Sequence, residues 1–74
     1  MINKQEIDLK KFTPKKIPQK SGAYLFLNKN KQPIYIGKAA NLRSRLSSYF
    51  QKNITKKTGQ IIKNAKTVKF FITK

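Results

Sequence analysis

Three tyrosines, Tyr24, Tyr35 and Tyr49, share one stretch of the chain with Lys38, Arg43 and Arg45. These are the residue types that phosphodiester chemistry would use. A phenol with a reference pKa of about 10 is a poor base at neutral pH. A dense field of ammonium and guanidinium groups stabilises phenolate and lowers that value. A phenol so placed can take a proton from water attacking phosphorus. An arginine beside it would hold the phosphate through two N–H groups and offset charge developing in the transition state. A lysine adds a point charge for the same oxygens. Hydrolysis would also want a carboxylate-held divalent metal on the leaving oxygen. By residue type alone, a second account fits as well. The tyrosines can be core or surface aromatics, Arg43 and Arg45 generic phosphate contacts, and Gly22 and Gly37 turn residues.

The elements that carry these groups follow from periodicity. "AYLFLN" and "PIYI" are rich in aromatic and β-branched residues and predict two strands joined by the polar turn "NKNKQ". Tyr24 and Phe26 share one face of the first strand, and Ile34 and Ile36 share a face opposite Tyr35 in the second. Both strands are apolar on both faces, which predicts cover on each side. Asn28 or Asn30 suits the left-handed position of the turn, and Pro33 suits a strand start or an edge. After Gly37 the period changes. Leu42, Leu46, Tyr49 and Phe50 form a helical stripe with Asn41 as its cap, and Arg45 falls on the stripe's edge beside Tyr49. Ile54, Thr58, Ile61, Ile62 and Ala65 predict a second helix, weakened by Gly59. "TVKFFIT" alternates as a closing strand. The expected fold is a small α+β domain: a three-stranded antiparallel sheet flanked by helices. The Pro-punctuated residues 1–13 are expected to be an arm, with a short helical turn around Gln5–Phe12, and 14–74 the domain.

Charge bounds the partner. Lysine and arginine total 18 against 2 acids, a formal net charge of +16 over 74 residues. Such an excess points to a polyanion, nucleic acid before an anionic membrane surface. Without cysteine or histidine the chain has no disulfide, thiolate metal site or imidazole base. No apolar run approaches the ~20 residues that span a bilayer, and a cytoplasmic setting fits. The two acids, Glu6 and Asp8, both precede the first strand-like segment.

"GAY" at 22–24, "YIG" at 35–37, Lys38 and Arg45 resemble the GIY-YIG nuclease superfamily. The longer run "YIGKAANLRSRLSSYF" is similar to the nuclease domain of its UvrC branch, and the flanks "PKKIPQKSGAYLF" and "KKTGQIIKNAKTVKFFIT" agree. The resemblance implies a DNA endonuclease making the 3′-side incision of nucleotide excision repair. Damaged double-stranded DNA would be delivered by UvrB, with UvrA upstream, and Mg²⁺ or Mn²⁺ would be the cofactor. It implies that Tyr35 is the general base, Tyr24 positions the water or the hydrated metal, Arg45 engages the scissile phosphate, and Lys38 and Tyr49 complete the site. Gly22 and Gly37 are its structural glycines, with Gly37 allowing close backbone approach, and Lys38, Arg43 and Arg45 would contact DNA. Ala23 departs from the family's usual Ile or Val. The family's metal-binding glutamate follows the third strand. The expectation is therefore that the ligand lies past "FFITK", that the domain is incomplete at its C-terminus and that the fragment alone is inactive. Two alternatives remain: a non-catalytic basic nucleic-acid-binding module, and another GIY-YIG endonuclease.

Overall fold

The computed structural model describes residues 4–73. Its sheet has four antiparallel strands in the order β1-β4-β2-β3: β1 (Lys4–Asp8), β2 (Gly22–Leu27), β3 (Pro33–Ala39) and β4 (Thr67–Ile72). Two helices, α1 (Leu42–Ser48) and α2 (Lys56–Asn64), lie between β3 and β4 in sequence. The expected three strands become four because Lys4–Asp8, within the segment expected to be an arm, pairs along β4 from Lys4↔Phe71 to Asp8↔Thr67. The expected helical turn is reduced to one 3-10 turn at Leu9–Lys11, with Asp8 accepting from Lys10 N. A second 3-10 turn, Pro14–Lys16, starts on a proline that has no N–H to lose there.

Register puts Tyr24, Phe26, Tyr35 and Phe70 on one face and Phe71 on the other. Tyr24 pairs with Gly37 on one side and Phe70 on the other, and Phe26 pairs with Tyr35 and Val68. With Ile17, Leu42, Leu46 and Tyr49 these strands form a single core. Ile61, Ile62 and Ala65 of α2 pack against the same core, so both helices serve one face. The cover expected on the second face is missing over β3, where Ile36 is 64% exposed.

The hairpin turn differs from its sequence reading. Asn28 stays at the strand end, and its Oδ1 accepts from Asn30 N and Gln32 N at 2.9 and 3.0 Å. The left-handed position falls to Lys31, with φ of 63°. A bulge then leaves Ile34 without a partner between Tyr35 and Pro33.

Both helix starts are capped by side chains, as their sequences require. Asn41 accepts from Ser44 N at the start of α1, and Thr55 accepts from Thr58 N at the start of α2. Phe50 closes the α1 stripe differently from Tyr49: it stands 39% exposed and stacks on Phe12 with ring centroids 4.4 Å apart.

Candidate active site

Tyr24 rises from the middle of β2, and the strand opposite must leave room for its ring. A Cβ on Gly37 would lie 2.5 Å from both Cζ and Oη of Tyr24. Gly37 thus sits inside β3 and makes space for a phenol. The expected role of close backbone approach at a strand end gives way to this one. Gly22 has a comparable constraint, with its ideal Cβ 2.1 Å from the Phe71 carbonyl oxygen.

The Tyr24 ring is fully buried, and its hydroxyl meets that of Tyr49 at 2.8 Å. Arg45 Nε donates to the same Tyr24 oxygen at 3.2 Å, and the guanidinium lies 5.7 Å from the Tyr49 ring centroid. Tyr35 joins from β3, its ring 6.4 Å from Tyr24 and 6.5 Å from Tyr49. Four of the residues singled out in the sequence therefore converge: Tyr24, Tyr35, Arg45 and Tyr49. Helical spacing explains the last two, because Tyr49, the C-cap of α1, follows Arg45 by one turn.

Lys38 and Arg43 are placed otherwise. Lys38 pairs with Ala23, one residue past Gly37 and so on the opposite side of the pleat. It borders an open basin with Asn41, Ser44, Arg45 and Ser48. Arg43 turns away from the cluster. Its Nε donates to the Ile17 carbonyl at 2.8 Å in a half-buried position, anchoring the Pro14–Lys16 turn to α1. That bond gives Arg43 a packing role through Nε.

Electrostatics around the cluster are mixed. The Tyr49 phenol is pushed above its ordinary value, first by burial and then by its hydrogen bond to Tyr24. The basic field expected to lower phenols loses to desolvation at this residue. Arg45 is held above its usual value by the hydrogen bond to Tyr24 and by the neighbouring phenols, so it stays a cation at every working pH.

One neighbour escaped the sequence reading. Lys57, in the first turn of α2, places Nζ 6.0 Å from the Tyr35 ring centroid. The "KKT" run was visible, but only the tertiary path of α2 shows which lysine reaches an aromatic face.

No described residues fit a divalent cation beside the tyrosines. Among them no three His, Cys, Asp or Glu side chains cluster. Glu6 forms an ion pair with Lys31, and Asp8 caps the Lys10 amide. Both sit on β1 at the far edge of the sheet from β3, about 14 Å away at the usual strand spacing.

Residues 20–74 match the family of UvrC-like GIY-YIG domains. This chain belongs to that family. It is 42% identical over 72 residues to UvrABC system protein C of Mycoplasma mycoides, covering 97% of this chain and 11% of that protein. Against UvrABC system protein C of Fusobacterium nucleatum it is 47% identical over 58 residues, covering 77% of the chain and 10% of the relative. The chain thus spans about a tenth of the length of these relatives. Among solved structures, it matches the GIY-YIG N-terminal endonuclease domain of UvrC from Thermotoga maritima bound to its catalytic divalent cation, magnesium. The TM-score is 0.71 at 38% identity, covering 78% of this chain and 63% of that one. A tyrosine-to-phenylalanine point mutant of that domain, also bound to the cation, matches with TM-score 0.71 at 36% identity, covering 78% and 62%. The GIY-YIG fold is therefore this chain's own.

Proposed function

We propose that this GIY-YIG domain supplies the phosphodiester-cleaving residues for the 3′-side incision of nucleotide excision repair, on damaged duplex DNA handed over by UvrB. The observation that carries the reading is the shared hydrogen-bonded cluster: Arg45 and Tyr49 both bonded to, or stacked around, the Tyr24 hydroxyl, with Tyr35 alongside. In this reading Tyr35 accepts the proton of the attacking water. Arg45 pairs with the scissile phosphate and offsets the charge that builds on its oxygens. Tyr24 and Tyr49 are positioning residues that hold the guanidinium, and Lys38 adds a second cation across the basin from Arg45. The related endonuclease domain works with a divalent cation, magnesium in one structure. Mg²⁺ or Mn²⁺ would stabilise the leaving oxygen here too. Its carboxylate is not among the described residues at the tyrosines, so the chain by itself should cut DNA at background rate.

The test is a chimera in which residues 20–74 replace the matching segment of the M. mycoides relative, assayed on a lesion-bearing duplex with Mg²⁺. Tyr35→Phe and Arg45→Ala should each lower the cleavage rate by about 10²-fold or more, with DNA binding largely retained in Tyr35→Phe. Cutting at the parental rate in both variants would overturn the assignment. In that outcome the cluster serves packing, and the alternative of a basic binding module stands.

A further inference from the structure

Away from the tyrosines, a groove of about 700 Å³ opens between the β2–β3 turn and the last turns of α2. Its floor is apolar, with Ile34, Ile61 and Ala65, and its rim carries Lys29, Lys63 and Lys66 without a carboxylate in the lining. The size falls within the roughly 300–1,000 Å³ of small-ligand pockets. Ile34 is there because of the bulge that leaves it without a strand partner. The side-chain amides of Asn30 and Gln60 also line the groove and bond to no other described residue.

Helix α2 runs from the proposed active site to the groove wall. That helix starts beside Tyr35, where Lys57 covers the ring, and ends at Asn64 in the groove wall. Its nine residues span about 13 Å at 1.5 Å each, roughly four steps of a stacked strand at about 3.4 Å per phosphate.

We propose that this groove receives one unpaired nucleotide of the strand that crosses the tyrosine–arginine cluster, roughly four positions from the cut. Its base lies on the apolar floor, and its flanking phosphates meet Lys29, Lys63 and Lys66. This rests on the proposed function and names a feature of its substrate. An acidic peptide would satisfy the three cations. The combination of an apolar floor with free amide donors and acceptors suits a base edge better.

The experiment uses this chain and a hexanucleotide with 2-aminopurine as its fifth nucleotide, flanked by a phosphate on each side, whose fluorescence reports stacking. Lys29→Gln/Lys63→Gln should reduce the slope of log K against log salt by about 1.4, at about 0.7 per single-strand phosphate contact. The charge-matched pair Lys10→Gln/Lys11→Gln should leave it nearly unchanged. Ile34→Asn, at a position already 36% exposed, should remove at least half of the 2-aminopurine response without changing the thermal midpoint. Equal slope losses for the two lysine pairs, or a response indifferent to Ile34, overturns the proposal. So does tighter, Ile34-dependent binding of a polyglutamate peptide. Arg45→Ala separates this result from the catalytic reading. If the chimera carrying that variant cuts at the parental rate while the groove signal persists, the active-site reading fails and the groove stands. If the groove signal is absent while the chimera's cutting still depends on Tyr35, the reverse holds.

Discussion

At position 37 a single methyl group decides whether Tyr24 keeps its place. The ideal Cβ would stand 2.5 Å from the Tyr24 hydroxyl oxygen, in a core with no slack. Gly37→Ala should therefore cost about 1–3 kcal/mol in denaturant unfolding and disturb the Tyr24–Tyr49 bond. Tyr49 itself gives a pH signature. Its phenol titrates above the unfolded value of about 10, so the folded state favours the neutral form. That contribution is whole below pH of about 10 and fades as pH rises through the higher folded value. Alkaline melts should show stability falling above about pH 10, and Tyr49→Phe should flatten the fall, apart from what other tyrosines add. The three phenols were legible in the sequence as a spacing. Their ranking was not, since burial alone separates the fully enclosed Tyr24 from the half-buried Tyr35.

Helix α1 presents Arg45 because its other face is committed. Leu42 and Leu46 are buried, Asn41 caps the start, and Arg43 ties the helix to the Ile17 carbonyl. Arg43→Met should lose about 1.5–3 kcal/mol, the usual worth of a hydrogen bond to a charged group. The measurement is chemical denaturation with oligonucleotide binding read in parallel. Stability should fall while binding changes little, the opposite of a pure phosphate contact. In α2, Gly59 meets only an ordinary contact, 3.6 Å from Ile54 Cδ1 to an added Cβ. Gly59→Ala should raise stability by about 0.5–1 kcal/mol through helix propensity. The helices themselves were readable from periodicity and caps. The strand at Lys4–Asp8 was not, because nothing local in "KQEID" announces a strand and its hydrogen bonds come from β4, some sixty residues on. Ile17 was missed for the same reason. It lies between prolines in a lysine-rich run, yet it is fully buried beneath α1.

Among the described residues, one sheet face is packed and the other lacks cover over β3. Ile36 stands on the open face at 64% exposure. Ile36→Thr should change unfolding free energy by no more than about 0.5 kcal/mol, as at other surface positions, whereas truncating buried Phe26 or Phe70 should cost about 3–5 kcal/mol. The +16 charge acts at the same scale. It draws the chain toward polyanions without selecting among them, so specificity must come from the cluster and the groove.

The order of residues alone determined the hairpin, the two helices, the closing strand and the family, because tyrosine-glycine spacing and helical period are local properties of a chain. Tertiary structure decided what locality cannot reach. It set the fourth strand, the roles of Gly37 and Arg43, the direction of the Tyr49 shift and the face left uncovered. Each depends on which distant residue fills the space beside it, and only the folded packing supplies that neighbour.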